Sequence, residues 1–447
     1  MDTPLNWDAL IAEAVQHLQV LLRIDTTNPP GNELAAAEYL AGVLRAEGIE
    51  PIVLEAAPQR GNCIARLRGD GSQPPLLLYN HIDVVPAEPS QWTRPPFSGD
   101  VAEGCVWGRG ALDMKSTTIM QLMTMLVLKR AGTLLQRDVI FAATADEEHD
   151  SDVGAEWLVK HHPDLVRAEY GLSEIGGYTL HIEGQRFYPI QTAEKGTCWF
   201  RIRATGRPGH GAVPHSDNAI VHVSRAIERL AAHPLPLHIT STAASYIQRI
   251  AQAIGGSFGL MLNATLNPWL HDTAVRHLPM PAFVDTLHAI LHNTVSPNQL
   301  RAGYKVNVIP SEAEAMIDGR MLPGFDAEAF LAEVQPRLGD GIEVAIEHTS
   351  PPLEVSADTP LFTAIEQHLH QADAEAIVLP YMLTGATDAK LFAQLGTQCY
   401  GFAPMKIEVD TPFDGLIHGH DERIAIDAFA FGVRTLFETV RDFCARR

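Results

Sequence analysis

Two apolar runs constrain this chain more than any other feature. Leu76-Leu77-Leu78-Tyr79 and Asp138–Ala143 are short and almost continuously hydrophobic, the pattern of strands buried on both faces of a sheet. Between them, Met114–Arg130 has helical spacing. Buried strands alternating with helices predict an open α/β sheet, whose ligands gather beyond the strand carboxyl ends. His81 stands at the end of the first run, and Asp146-Glu147-Glu148 follows the second.

The flanking sequence extends the pattern. Residues 7–22 place Leu10, Ile11, Ala14, Val15, Leu18, Leu21 and Leu22 at helical spacing. Asn28-Pro29-Pro30-Gly31-Asn32 breaks it, a second helix is expected over Glu33–Glu47, and strands over Pro51–Glu55, Asn62–Leu67 and Tyr170–Ser173. The texture changes near Gln191. Strands are expected at Thr197–Thr205, Lys305–Pro310, Ala313–Met321 and Gly341–His348, and helices at Asn218–Ala232 and Ala327–Leu338. Ser241–Asn298 reads as irregular and partly helical, with Gly255-Gly256-Ser257-Phe258-Gly259 as a flexible turn. Ser350-Pro351-Pro352 is an exit linker, and a long helix begins near Ile424. At 447 residues two domains are expected. The first has two parts, 1–189 and 353–447, and an α+β domain, 190–352, is inserted between them.

Composition narrows the classes of function. Hydrophobic residues make up 46% and charged residues 19%, as in soluble globular proteins. No apolar run reaches the ~18 residues that span a bilayer, and the N-terminus lacks signal-peptide features. Five scattered cysteines without CxxC spacing suit a reducing compartment, so a cytoplasmic location is expected. A net charge of −21 disfavours nucleic acid and anionic membranes as partners.

The candidate chemistry lies in separated segments. In His81-Ile82-Asp83 the imidazole can bind a metal and the carboxylate can fix its tautomer; singly, a loop histidine is the commoner reading. In Gly108-Arg109-Gly110-Ala111-Leu112-Asp113 two glycines permit close approach, and Asp113 stands at a helix start as an N-cap, a ligand, or both. Three adjacent carboxylates, Asp146, Glu147 and Glu148, are costly unless exposed or neutralised by cations. Glu174 ends another strand-like run, and His418 lies in Ile417-His418-Gly419-His420-Asp421-Glu422-Arg423. Imidazoles and carboxylates at several sheet-end loops are the donor mix of zinc or a similar divalent ion.

In this order the segments resemble the co-catalytic di-zinc metallopeptidase family of aminoacylases, glutamate carboxypeptidases, acetylornithine deacetylases and succinyl-diaminopimelate desuccinylases, from His81 to Arg423. The resemblance implies a phosphorylase/hydrolase-like mixed sheet with helices on both faces, plus an inserted ferredoxin-like dimerisation domain. It implies that Asp113 bridges two zinc ions (cobalt or manganese being the alternatives), that His81 and Glu174 complete one site, and that Glu148 and His418 complete the other. Glu147 would be the general base and Asp83 would orient His81. The family often has glycine after its last carboxylate ligand, where Ile175 stands here, and Glu183 is the substitute for Glu174. Gly206-Arg207-Pro208-Gly209-His210, Lys305–Pro310, Asp318-Gly319-Arg320 and Gly385-Ala386-Thr387-Asp388 also match. By that match Asn307 and Arg320 hold a substrate carboxylate, Gly385 lies in a substrate loop, and His210 reaches the neighbouring subunit's site in a homodimer.

The expected reaction is hydrolysis of an N-acyl amino acid, with dipeptidase or carboxypeptidase activity as the alternative and a non-catalytic binding relative behind both. The GxSxG pattern around Ser257 lacks a strand–turn–helix context. His418-Gly419-His420 lies too late for a barrel amidohydrolase, and no HExxH occurs.

Overall fold

The computed structural model describes residues 5–446. The chain divides into two compact units, one comprising residues up to Thr192 with Val355–Pro380 and Thr387 onward, the other Ala193–Glu354 with Tyr381–Ala386.

The first unit is built on a mixed sheet. Its strands run in the order Pro51–Ala57, Arg60–Leu67, Val139–Thr144, Leu76–His81, Tyr170–Ser173, Gln398–Gly401 and Gln185–Glu194. The middle four are mutually parallel, with Leu76 opposite both Val139 and Tyr170. Every residue of Leu76–His81 and of Val139–Thr144 is buried, which is why both read as unbroken apolar runs. Alternate side chains serve opposite faces. Leu76 and Leu78 enter the core with the helix Lys115–Arg130, while the ring of Tyr79 lies 4.7 Å from that of Phe392 in the helix Ala389–Ala393. Lys115–Arg130 is buried from Lys115 to Leu128, between the helices Trp7–Arg23 and Ile426–Cys444.

The structure corrects one local expectation. The central helix starts at Lys115 with Met114 as its N-cap, so Asp113 lies ahead of the helix and does not cap it. Glu183 sits at the turn of a hairpin between Leu180–Ile182 and Gln185–Glu194.

The second unit carries an antiparallel sheet ordered Thr294–Ala302, Glu312–Met321, Gly196–Thr205, Ile342–Ser350. With the helices Ala219–Ala232 and Ala327–Leu338 it follows the β-α-β-β-α-β path of a ferredoxin-like fold. Val223, Ala226 and Leu230 from one helix and Phe330, Val334 and Leu338 from the other pack on Phe200, Ile202, Ala315 and Ile317. The strand Thr294–Ala302 begins inside the stretch read as irregular, and of Lys305–Pro310 only Val308–Ile309 is strand. Four helices fill the rest of that stretch: Ser241–Ile254, Gly256–Ala264, His271–His277 and Pro281–Leu291. The expected glycine-rich turn is therefore a helix junction, with Gly255 at φ +64 ending one helix and starting the next. No described helix is long and apolar enough to cross a membrane, and the five cysteines form no disulfide with one another.

Candidate metal centre

Parallel strands in register deliver their carboxyl ends to one edge of a sheet. Here that edge presents His81 as the last residue of its strand, Glu174 immediately after Ser173, and Glu147 and Glu148 just past Thr144. Asp113 and His418 come from loops. Together they form two groups that share one residue: His81, Asp113 and Glu174 in the first, Asp113, Glu148 and His418 in the second. Asp113 turns Oδ1 to His81 Nε2 at 3.1 Å and Oδ2 to His418 Nε2 at 3.1 Å. Glu174 Oε2 lies 3.6 Å from His81 Nε2, and Glu148 Oε2 lies 3.3 Å from His418 Nε2. Glu183 belongs to neither group.

Such a cage demands positive charge. Burial opposes a charge on His81, yet Glu174, Asp113 and Asp83 outweigh it and raise the ring well above its ordinary value. Hydrogen bonds to Asp113 and Glu148 raise His418 to about 10. Burial lifts Glu174 to about 8, with His81 opposing. Burial likewise works to raise Asp113, but both imidazoles together hold it below the usual carboxylate range. One carboxylate oxygen, Glu148 Oε1, is buried without a hydrogen-bond partner among the described residues. An anionic oxygen in that position is costly unless a cation meets it. The donor set and this orphaned oxygen fit a pair of divalent metal ions with a bridging carboxylate.

The cage is held from behind. Asp83, fully buried, lies 3.4 Å from His81 Nδ1 through Oδ1 and accepts from Asn28 Nδ2 at 2.9 Å. It also accepts from the backbone N–H of Glu147 at 3.2 Å and of Glu148 at 3.1 Å, so it positions two sheet-end segments. Behind the Asp113 and His418 segments stand Arg109 and Glu422, residues of the same two motifs. Glu422 accepts from the backbone N–H groups of Gly110, Leu112 and Asp113 and from Arg109 Nη1 at 2.7 Å. Arg109 Nη2 donates to the carbonyls of Gly419 at 3.0 Å and His418 at 3.3 Å. Asp388 accepts from Ser151 Oγ at 2.6 Å, and burial raises it to about 6. Asp146, Ile175 and His418 all have positive φ (72°, 58° and 57°). Left-handed backbone at non-glycine residues concentrates at functional sites.

The remaining candidates lie in the second unit. The strand pair Gly209–His210 and Val308–Ile309 sets His210 opposite Val308, and Gly211 N donates to Asn307 O at 2.9 Å. His210 is exposed, and its Nδ1 accepts from Ala212 N at 3.1 Å, which places the ring proton on Nε2. Arg320 directs Nε and Nη2 at the two carboxylate oxygens of Asp318, 2.7 and 3.1 Å away. Gly385 follows the strand Ile377–Leu383.

A mixed α/β sheet that brings together two groups of three residues, each able to hold a metal ion and sharing one aspartate, fits a class, the dinuclear metallohydrolases. Residues 77–442 match the model of peptidase family M20/M25/M40, and the chain belongs to that family, which includes dinuclear metal-binding peptidases. It is 29% identical over 380 residues to the N-fatty-acyl-amino acid synthase/hydrolase PM20D1 of Xenopus tropicalis, covering 82% of this chain and 72% of that protein. To aminoacylase-1A of Rattus norvegicus it is 29% identical over 424 residues, covering 92% and 90%. Its fold matches an M20 family metallo-carboxypeptidase, Sso-CP2 of Sulfolobus solfataricus, with a TM-score of 0.71, 19% identity, and coverage of 96% and 99%.

Proposed function

We propose that this hydrolase cleaves the amide bond of N-acyl amino acids with Glu147 as general base. The observation that carries the reading is Asp113 shared between two ligand groups with Glu147 beside them, its Oε2 3.9 Å from His81 Nε2. When bound, two divalent cations, which we take to be zinc, would lower the pKa of a shared water toward neutrality and polarise the amide carbonyl. His81, Asp113 and Glu174 would hold one, and Asp113, Glu148 and His418 the other. Burial and the nearby Glu174 push the Glu147 carboxyl well above the usual range, which suits a group that must take a proton near neutral pH and return it to the leaving amine.

The substrate follows from chemistry and kinship. The two relatives named above are, by their names, an aminoacylase and an N-fatty-acyl-amino acid synthase/hydrolase. Arg320 and Asn307 are assigned to the carboxylate of the amino-acid half, since a guanidinium fork binds a carboxylate in two places. Gly385 is assigned to a substrate loop. His210, a neutral Nε2–H donor, is assigned to the developing oxyanion within a homodimer.

The test is turnover of a panel of N-acyl amino acids and dipeptides by wild type and Glu147→Gln, with zinc content measured alongside. The variant is expected to keep its metal and lose ~10²–10⁴ of kcat. Full metal in wild type without hydrolysis of any amide would leave a binding protein on the same fold; hydrolysis of dipeptides alone would make it a dipeptidase.

A further inference from the structure

Among the helices of the second unit lies a histidine cluster that the proposed hydrolysis does not use. His271 opens the helix His271–His277, and His292 follows the helix Pro281–Leu291. Both are buried, 7% and 5% exposed. His271 Nδ1 lies 2.7 Å from the carbonyl of Thr265, and His292 Nδ1 lies 2.7 Å from that of Leu235 and 3.1 Å from that of Pro236. A carbonyl oxygen only accepts, so both Nδ1 atoms carry protons. In a neutral imidazole the other nitrogen is then a bare lone pair. The two Nε2 atoms nevertheless face each other at 3.4 Å.

Two lone pairs aimed at one another repel, so a cation belongs between them. A proton is the weaker candidate. A charge-assisted N–H···N bridge would close to well under 3.2 Å. A metal fits better. Two imidazoles at ~2.0–2.1 Å on a tetrahedral ion stand about 3.3–3.4 Å apart. Donation of the other ring N–H to a backbone carbonyl is the usual way such ligands are oriented. A cavity of about 630 Å³ adjoins the pair, lined also by His233, Asp272, Arg276 and His288, with room for water or a further donor.

We propose that His271 Nε2 and His292 Nε2 hold a tetrahedral divalent transition ion of the zinc class, separate from the Asp113 cage and open to this cavity. The ion staples the start of one helix to the end of another.

Full-length protein stripped by chelator and titrated with Zn²⁺ tests this. Wild type should bind one more zinc per chain than His271→Gln or His292→Gln, and zinc should raise its melting temperature more than theirs. If the Asp113 cage fails to load, wild type still exceeds the variants by one. Equal zinc stoichiometry in all three overturns the proposal and leaves a shared proton. Should the variants not fold, zinc-soaked wild-type crystals decide. An anomalous peak ~2.0–2.1 Å from both Nε2 atoms upholds the site, and the absence of a peak between them overturns it.

Discussion

Arg109 and Glu422 meet at 2.7 Å, both almost wholly buried, in an ion pair that supports the two ends of the cage. On one side Glu422 takes the backbone of Asp113; on the other Arg109 takes the carbonyls beside and at His418. Removing one partner of a buried pair leaves an uncompensated charge and costs about 3–5 kcal/mol. Glu422→Gln should therefore lose that much in urea unfolding, and the double variant Arg109→Met/Glu422→Gln should lose less than the sum of the two singles. Additive losses would mean the two residues act independently.

Asp83 spans His81 and the Glu147–Glu148 backbone. Groups behind metal ligands typically carry 10–100-fold in metal affinity or activity. Asp83→Asn should weaken metal retention against a competing chelator by about that factor. If Glu147 is the general base, the variant should also lower kcat, because the segment bearing it loses an acceptor. Unchanged retention and kcat would remove Asp83 from both roles.

Arg320 forks onto Asp318 in the present arrangement. If it takes the substrate carboxylate, Arg320→Ala raises KM for N-acyl amino acids much more than for the corresponding amides. Equal effects on both would reassign the guanidinium to holding Asp318.

Asp373 gives a pH dependence outside the cage. It is buried, receives Arg186 Nη2 at 2.6 Å and Tyr188 Oη at 2.9 Å, and links the strand Gln185–Glu194 to the end of the helix Pro360–Ala372. Burial works to raise its carboxyl, but Arg186 and Tyr188 prevail and the folded-state value is lowered. The stability it contributes is thus present above the unfolded value of ~4 and lost as pH falls through the folded one. Asp373→Asn should cost about 1.5–3 kcal/mol at pH 7, a gap that shrinks below pH ~4 in chemical denaturation. A gap constant with pH would contradict this.

How much the residues themselves disclosed follows from range. The strand end bearing His81 is legible because a strand buried on both faces leaves an apolar run, Leu76–Tyr79, that stops just before the site begins, whereas Tyr170–Ser173 includes a glycine and a serine and signals Glu174 more faintly. Ile175 marked a departure from a glycine pattern, and its φ of 58° shows why glycine suits the place. Arg109 and Glu422 stand 313 residues apart, a separation over which no local pattern signals a pair. The helices between Ser241 and Leu291 are only partly legible, although Thr240 caps the first by accepting from Ala243 N. Paired glycines at 255–256 obscured the continuation, where one helix ends and another starts without a loop.

The Arg109–Glu422 pair also gives the protein a calendar. Ribosomes add about 5–20 residues per second, so roughly 15–60 s separate the synthesis of Asp113 from that of Glu422. By the later part of that interval His81, Asp113, Glu148 and Glu174 exist while His418, Arg109's counter-ion and the clamp on the Asp113 loop do not. A stalled or prematurely released chain would carry the acids without the frame that gathers them. A chain that stops before Glu422 keeps Asp113 but lacks the carboxylate to which the backbone of that loop donates.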